Sequence, residues 1–443
     1  MMQRLRLYWS FVRASLWFVP LLMSIAGVAL AVLLLTWVGM PGDSAAEFWL
    51  LYSGDADNAR QLLAALLSGI ITMTSLIVSI TVVVLTLAAG QLGPRMVRNF
   101  IGDWPTQAVI GLFIATILYL LIVFRTIGDT GADTIPHLAV SVGTALSALC
   151  MFVLLFYVHR LARSIMYDNA VRTVTMELAQ SIERLANGRD AAGDDPAFPD
   201  AAAVWIGLRR DGYIQAIEFE RLVEEARRAE AVFRLAVRPG EYVLARGRHV
   251  GIYPPAALTD EVAAAIRGAV ILGAERTPTQ DLEFGIRQLV EIALRALSPG
   301  INDVFTAIAV IDNLSSALAR LFEHPLEPCL HRDGEGRVRV HRTVIGYDAM
   351  VRTAFDQIRQ AGRSMPAVLI RLATAIESLV PYADTEERAR PLREQLEFVR
   401  ATGERHIELA SDLDLLRERC AAARARLEAG RRHPGGGQPD AGH

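Results

Sequence analysis

Four long apolar runs open the chain, and beyond them the pattern changes character. A membrane-spanning helix needs roughly 20 residues without unpaired charge, because the hydrocarbon core is about 30 Å thick. The runs 14–42, 61–94, 104–124 and 134–158 each meet that demand; charges bound the first three, and the fourth holds only His137 near its start. They predict a four-helix transmembrane domain over 1–165. The first run far exceeds the roughly 7–15 apolar residues of a signal peptide, and three more spans follow, so it reads as a retained anchor.

Past 158 the pattern predicts a helical extension and linker over 166–200, then a small β-rich module over 201–255. The linker's last part, 187–200, is turn-rich and charged. In the module, strand-like pieces at 203–208, 213–217, 232–237 and 241–244 are separated by the turns Asp211-Gly212 and Pro239-Gly240, with a helical segment at 219–229. From 256 to 429 the period becomes helical. Leu282, Ile286, Leu289, Val290, Ala293 and Leu297 share one face, and Ser298-Pro299-Gly300 stops that helix. Asn302 or Asp303 can cap the next helix, whose apolar face includes Val304, Ala307, Ile308, Ile311, Leu314, Leu318 and Leu321. Further helices are expected at 348–361 and 367–380, then one long charged helix to about 429. Leu392, Leu396, Val399, Leu413, Leu416, Cys420 and Leu427 would give it a partner-facing seam, interrupted at Gly403. The tail, 430–443, has the composition of a disordered segment. The fold class is thus mainly α: four transmembrane helices, then a cytoplasmic α+β region with a β-rich module and a C-terminal helical bundle.

The second span stands apart. It runs 34 residues without charge and holds seven hydroxyl residues between Ser68 and Thr86. At ~100° per residue, Ser68, Thr72, Ser75, Ser79 and Thr86 fall within about 60° of one another. Val82 fills the gap, and Thr74 and Thr81 lie off the stripe. The run ends at Gly90 and Gly93-Pro94, where proline should break or kink the helix. Two uses fit the stripe. Small and hydroxyl residues let helices approach closely; a symmetric ring of copies would instead stack the hydroxyls around water. Arg95 and Arg98 would then stand at the mouth of the pore.

Arginine sets the orientation. Arg4, Arg6 and Arg13, then Arg95 and Arg98, then Arg160 and Arg163 mark cytoplasmic segments, while the other two loops are acidic. Both termini are therefore expected in the cytoplasm, the chain crossing the membrane several times.

Composition mainly excludes. With a net charge of −3 nothing points to nucleic acid. The chain has no lysine, which removes Walker-type phosphate loops, pyridoxal Schiff bases and the kinase strand lysine. Cys150, Cys329 and Cys420 show no metal or disulfide spacing.

Particular strings carry a resemblance: Gly93-Pro94-Arg95, the run 212–217 (GYIQAI), the run 276–281 (RTPTQD) and, most specific, 296–303 (ALSPGIND) with Phe305-Thr306-Ala307. On these the chain resembles, over nearly its whole length, the bacterial membrane protein family catalogued as domain of unknown function 2254. It departs from that family in having Val304 where proline is common. The resemblance implies a multi-pass membrane protein and supplies no activity. Its polar motif residues, Arg276, Thr277, Gln280, Asp281, Ser298, Asn302, Asp303 and Thr306, together with Pro299 and Gly300, gather at two helix ends. They could bind an anion at a helix N-terminus or simply cap a helix corner. Without a nucleophile–base pair or a metal set, an enzyme ranks third. A homo-oligomeric channel comes first, and a membrane-anchored sensor or scaffold is the alternative. No cofactor or metal is expected; the expected partners are the bilayer and further copies of the chain, with any ion or small ligand unidentified.

Overall fold

The computed structural model describes residues 17–37, 52, 55–92, 104–129, 136–164, 167–186, 198–324 and 329–431. They form two compact units that divide between Asn169 and Ala170. The Gly93-Pro94 break, Arg95, Arg98, most of the 187–200 linker and residues 432–443 lie outside the described residues.

The first unit holds α1 (Phe18–Trp37), α2 (Ala56–Leu92), α3 (Trp104–Asp129) and α4 (His137–Ser164). Apolar runs of this length form helices because hydrocarbon offers the backbone no other hydrogen-bond partner. The Asp55 carboxylate starts α2 by accepting the Asn58 N–H at 2.9 Å. With 37 residues α2 is about 55 Å long, well beyond a bilayer core. α1 packs on α3, and α3 in turn on α2 and α4. Leu63, Ile70, Ile77 and Val84, seven residues apart along α2, join Phe113, Leu120 and Val140 in one core. Polar groups inside find partners across the helices: Tyr119 donates to the Ala139 carbonyl at 2.8 Å, and the Thr81 and Tyr157 hydroxyls lie 2.5 Å apart.

α5 (Tyr167–Ala186), all but its first three residues in the second unit, is an amphipathic helix that buries Val171, Val174, Leu178 and Ile182. The module that follows uses β1 (Val204–Ile206), β2 (Gly212–Ile217), α6 (Phe219–Arg228), β3 (Val232–Leu235), β4 (Tyr242–Val243), β5 (Val250–Tyr253), α7 (Asp260–Ala269) and β6 (Val270–Gly273). Its sheets therefore run past 255. β4-β2-β6 form one, and β1-β5-β3 continue into a hairpin from much later in the chain, β8 (Val338–Arg342) and β7 (Leu330–Arg332). β8 lies parallel to β3, with Phe233 opposite Val340, and both are buried in the module core.

The helices come next: α8 (Leu282–Ala296), α9 (Val304–Glu323), α10 (Tyr347–Ala361), α11 (Pro366–Leu379), α12 (Glu386–His406) and α13 (Ala410–Arg431). The single long helix expected at the end is thus two, folded back on each other. Glu397 pairs with Arg424 at 3.2 Å, and Gly403 faces Leu416. The expected partner-facing seam is covered by the chain itself: Leu392, Leu396, Val399, Leu416, Cys420 and Leu427 are buried, and α13 packs on α11 as well as α12. Five helices among the described residues are long and apolar enough to cross a membrane, α1 to α4 and α9. The protein is mainly helical, with several such helices and a small sheet region.

Candidate functional site

On α2 the hydroxyl stripe faces outward. Ser68, Thr72, Ser75, Ser79 and Thr86 are all exposed, while Leu63, Ile70, Ile77 and Val84 fill the core on the opposite face. The off-stripe hydroxyls Thr74 and Thr81 are half-buried. Packing within the unit therefore does not use the stripe. Three of its hydroxyls are held by their own helix: Thr72, Ser75 and Thr86 donate to the carbonyls four residues back at 2.9, 3.1 and 2.9 Å. Each of these three spends its donor on the backbone and keeps acceptor lone pairs for water or another chain.

The polar motif residues separate into two groups, at opposite ends of α8. Fifteen residues at ~1.5 Å each put those ends about 20 Å apart. At the N-terminal end, 276–281 is sewn onto β2, so two of the strings that carry the family resemblance meet in space. Gln280 acts as a surrogate strand edge, accepting the Ile217 N–H at 2.8 Å and donating to its carbonyl at 3.1 Å. Thr277 donates to the Gln215 carbonyl at 3.2 Å, and Gln215 donates to the Glu275 carbonyl at 2.9 Å. Asp281 caps α8 through the Phe284 N–H at 3.2 Å and pairs with Arg276 at 2.7 Å.

Glu283, one residue inside α8, is the hub of this corner. It is buried, and Arg287 reaches it at 2.6 Å, Arg276 at 3.4 Å and Arg238 at 3.5 Å, while Thr353 of α10 donates at 3.2 Å. Burial pushes its carboxyl up, but Arg287 and then Arg238 and Arg276 outweigh burial and leave it below the ordinary carboxylate range. For Asp281 the balance is reversed. Burial raises its pKa against the opposing pull of Arg276. With every carboxylate in the corner bonded to arginine or backbone, the arrangement is a joint between sheet and helices.

At the other end of α8 the chain turns through 298–303. Ser298 donates to the Arg295 carbonyl at 2.7 Å, and Asn302 takes φ +50, a left-handed conformation that asparagine tolerates. Asp303 then caps α9, accepting the Thr306 N–H at 3.1 Å and its hydroxyl at 2.5 Å. Those two bonds hold its carboxyl below the ordinary range. The unexpected feature is apolar: Phe305 is 86 % exposed and Ile301 42 %. The polar letters of the motif build the turn; of its hydrophobic letters Ala296, Leu297 and Ala307 are buried, and Ile301 and Phe305 are left at the surface.

A third feature had no signal in local sequence, because three distant segments build it. α5, α9 and α11 border a polar groove of about 730 Å³. Arg371 pairs there with Asp312 at 2.5 Å, Arg320 with Glu183 at 3.6 Å, and His324, Ser315, Ser378 and Tyr382 complete the lining. Among the described residues no cluster of three His, Cys, Asp or Glu side chains could hold a metal ion.

Comparison with known proteins gives a consistent result. The family described as predicted membrane protein (DUF2254) matches residues 13–378. An uncharacterised protein of Mycobacterium bovis is 30% identical over 386 residues, covering 85% of this chain and 74% of its own. Uncharacterised proteins of two Mycobacterium tuberculosis strains, CDC 1551 and H37Rv, match to the same extent. No solved structure matches.

Proposed function

The chain belongs to the DUF2254 family of predicted membrane proteins, and from that premise we propose that it is a homo-oligomeric, channel-like protein of the bacterial inner membrane. In this reading α1 to α4 cross the bilayer and both termini are cytoplasmic. α9 is apolar enough to cross, but its hydrophobic side is already buried among its neighbours, and Asp312, Arg320 and Glu323 face the groove. One observation carries the proposal: five hydroxyls on the charge-free stretch of α2 run down the middle of a face that the described residues of its own unit leave open, flanked there by Ile71, Leu76, Val78, Val82 and Val83. Copies arranged with that face toward a common axis would line a polar path and bury the stripe away from lipid. The test is the mass of the purified protein in detergent together with single-channel recording in a planar bilayer. A ring-sized mass with unitary currents is expected; a monomer, or an oligomer without currents, rejects the channel.

The groove supports a second reading, a membrane-anchored sensor. α5 begins three residues after the last apolar helix ends, and it forms one wall of the groove. A small ligand wedged between α5 and the α9–α11 pair would move the element that leads from the membrane. The seam of α12 and α13 is covered within the chain and so adds no support for a scaffold.

A further inference from the structure

One end of the β-rich module gathers arginines without matching acids. The loop 207–211 and the loop 245–249 are bound edge to edge: Arg209 N–H donates to the Ala245 carbonyl at 3.1 Å, and His249 N–H to the Ile206 carbonyl at 3.0 Å. The Ala245 N–H donates to the Asp211 carboxylate at 2.6 Å, and the Leu208 N–H to the His249 ring at 3.1 Å. This places Arg209 and Arg210 beside Arg246 and Arg248, all four exposed. Arg267 of α7 comes in below them, donating to the Gly207 carbonyl at 3.0 Å. Burial, and after it the charge of Arg209, lowers the Arg267 pKa against the opposing pull of Asp260.

Many arginines elsewhere in the unit stand against acids, as Arg227 and Arg228 do against Glu224, or Arg400 against Glu397 and Glu404. Among the described residues Arg209, Arg210, Arg246 and Arg248 have no such ion pair, and Arg248 instead lies over the Trp205 ring at 4.8 Å. Asp211 is the acid nearest in sequence, and its carboxylate is taken by backbone. Next to the cations, alternate residues of one strand point outward: Tyr242 is 57 % exposed and Leu244 63 %, while Val243 between them is buried. Guanidinium groups match phosphate oxygens in a two-pronged geometry. Tyrosine and leucine beside them suit the boundary between headgroups and acyl chains.

We propose that this face docks on the phosphate-bearing headgroups of an anionic bilayer, with Tyr242 and Leu244 entering the interface beside the arginines. The occupant follows from charge and from attachment. The module belongs to a chain with several membrane-crossing helices, so a bilayer is always present at high effective concentration. The proposal rests on that anchoring and not on a pore.

The experiment uses the full chain in lipid nanodiscs. With Cys329→Ser removing the exposed native thiol, and Cys150 and Cys420 buried, Leu244→Cys carries an environment-sensitive fluorophore. In discs containing phosphatidylglycerol the emission should shift blue and brighten; in phosphatidylcholine discs it should not. Added salt should reverse the shift. Glutamine at Arg209, Arg210, Arg246 and Arg248 should weaken docking about fivefold per residue replaced. Equal emission in both discs, or an unaltered response after all four replacements, overturns the proposal. So does a shift produced in phosphatidylcholine discs by inorganic phosphate or by an RNA oligonucleotide, since either would make the face a receptor for something else. A chain that fails to enter discs at all would reject the anchoring itself, a distinct result.

Discussion

Two carboxylates with the same task carry opposite electrostatics. Asp281 and Asp303 each cap a helix, yet burial raises the first and hydrogen bonds from Thr306 lower the second. Asp303→Ala should cost roughly 0.5–2 kcal/mol in thermal unfolding of the purified chain. Asp303→Asn should cost little, because asparagine caps as well. The sign of the pH dependence follows from the shift. A carboxyl depressed in the folded state contributes stability above its unfolded value of about 3.9 and loses it as pH falls through the folded value. The gap between the native chain and Asp303→Ala should therefore narrow in acid, and a gap that widens would show that Asp303 is not held as described. Gly240 makes a second case at this scale. It takes φ +87, and a Cβ there would overlap the Asp281 carboxylate. Gly240→Ala should destabilise by more than about 1 kcal/mol, from the strained backbone alone. A silent substitution, read by the same unfolding experiment, would mean that the 238–241 turn does not close against Arg276 and Asp281.

At the scale of elements, what was legible in the sequence followed periodicity, and what was hidden depended on partners. The apolar helices and the helices from 282 onward declare themselves, because burial repeats along one segment. β7 and β8 did not. His331, Arg332, Arg337, Arg339 and His341 make that stretch look like a solvated turn, yet Val340 enters the core and Arg339 is buried against Asp333 at 2.7 Å. A parallel pairing with β3 leaves no trace in either strand alone. The corner at Asp281 was half legible: its residues were named, but their union with β2 and the hub role of Glu283 needed the fold. The final helices show the same limit, since a seam that looks ready for a partner is satisfied within the chain. Gly403 is the feature that permits the fold-back. A Cβ there would overlap Leu416, so Gly403→Ala should cost about 1–3 kcal/mol by overpacking. Combined with Leu416→Ala, it should cost less than the two changes summed, because the truncated side chain makes the room. Strict additivity would indicate that these two residues do not meet.

At the scale of the whole molecule, topology and assembly are separable. The proposed topology has both termini inside, so a cysteine at Asp55 should react with an impermeant thiol reagent from outside intact cells and one near Gly430 should not. Assembly is the central claim, and α2 offers its own control because one helix carries both faces. With native cysteines replaced, Ser75→Cys and Ser79→Cys should react with a small hydrophilic thiol reagent in reconstituted protein and alter the current. Ile77→Cys and Val84→Cys, turned into the core of the unit, should do neither. That contrast is the result expected of a stripe that faces water shared between copies. Equal protection of all four positions would leave the stripe against lipid or packed dry between helices, and the pore would be contradicted.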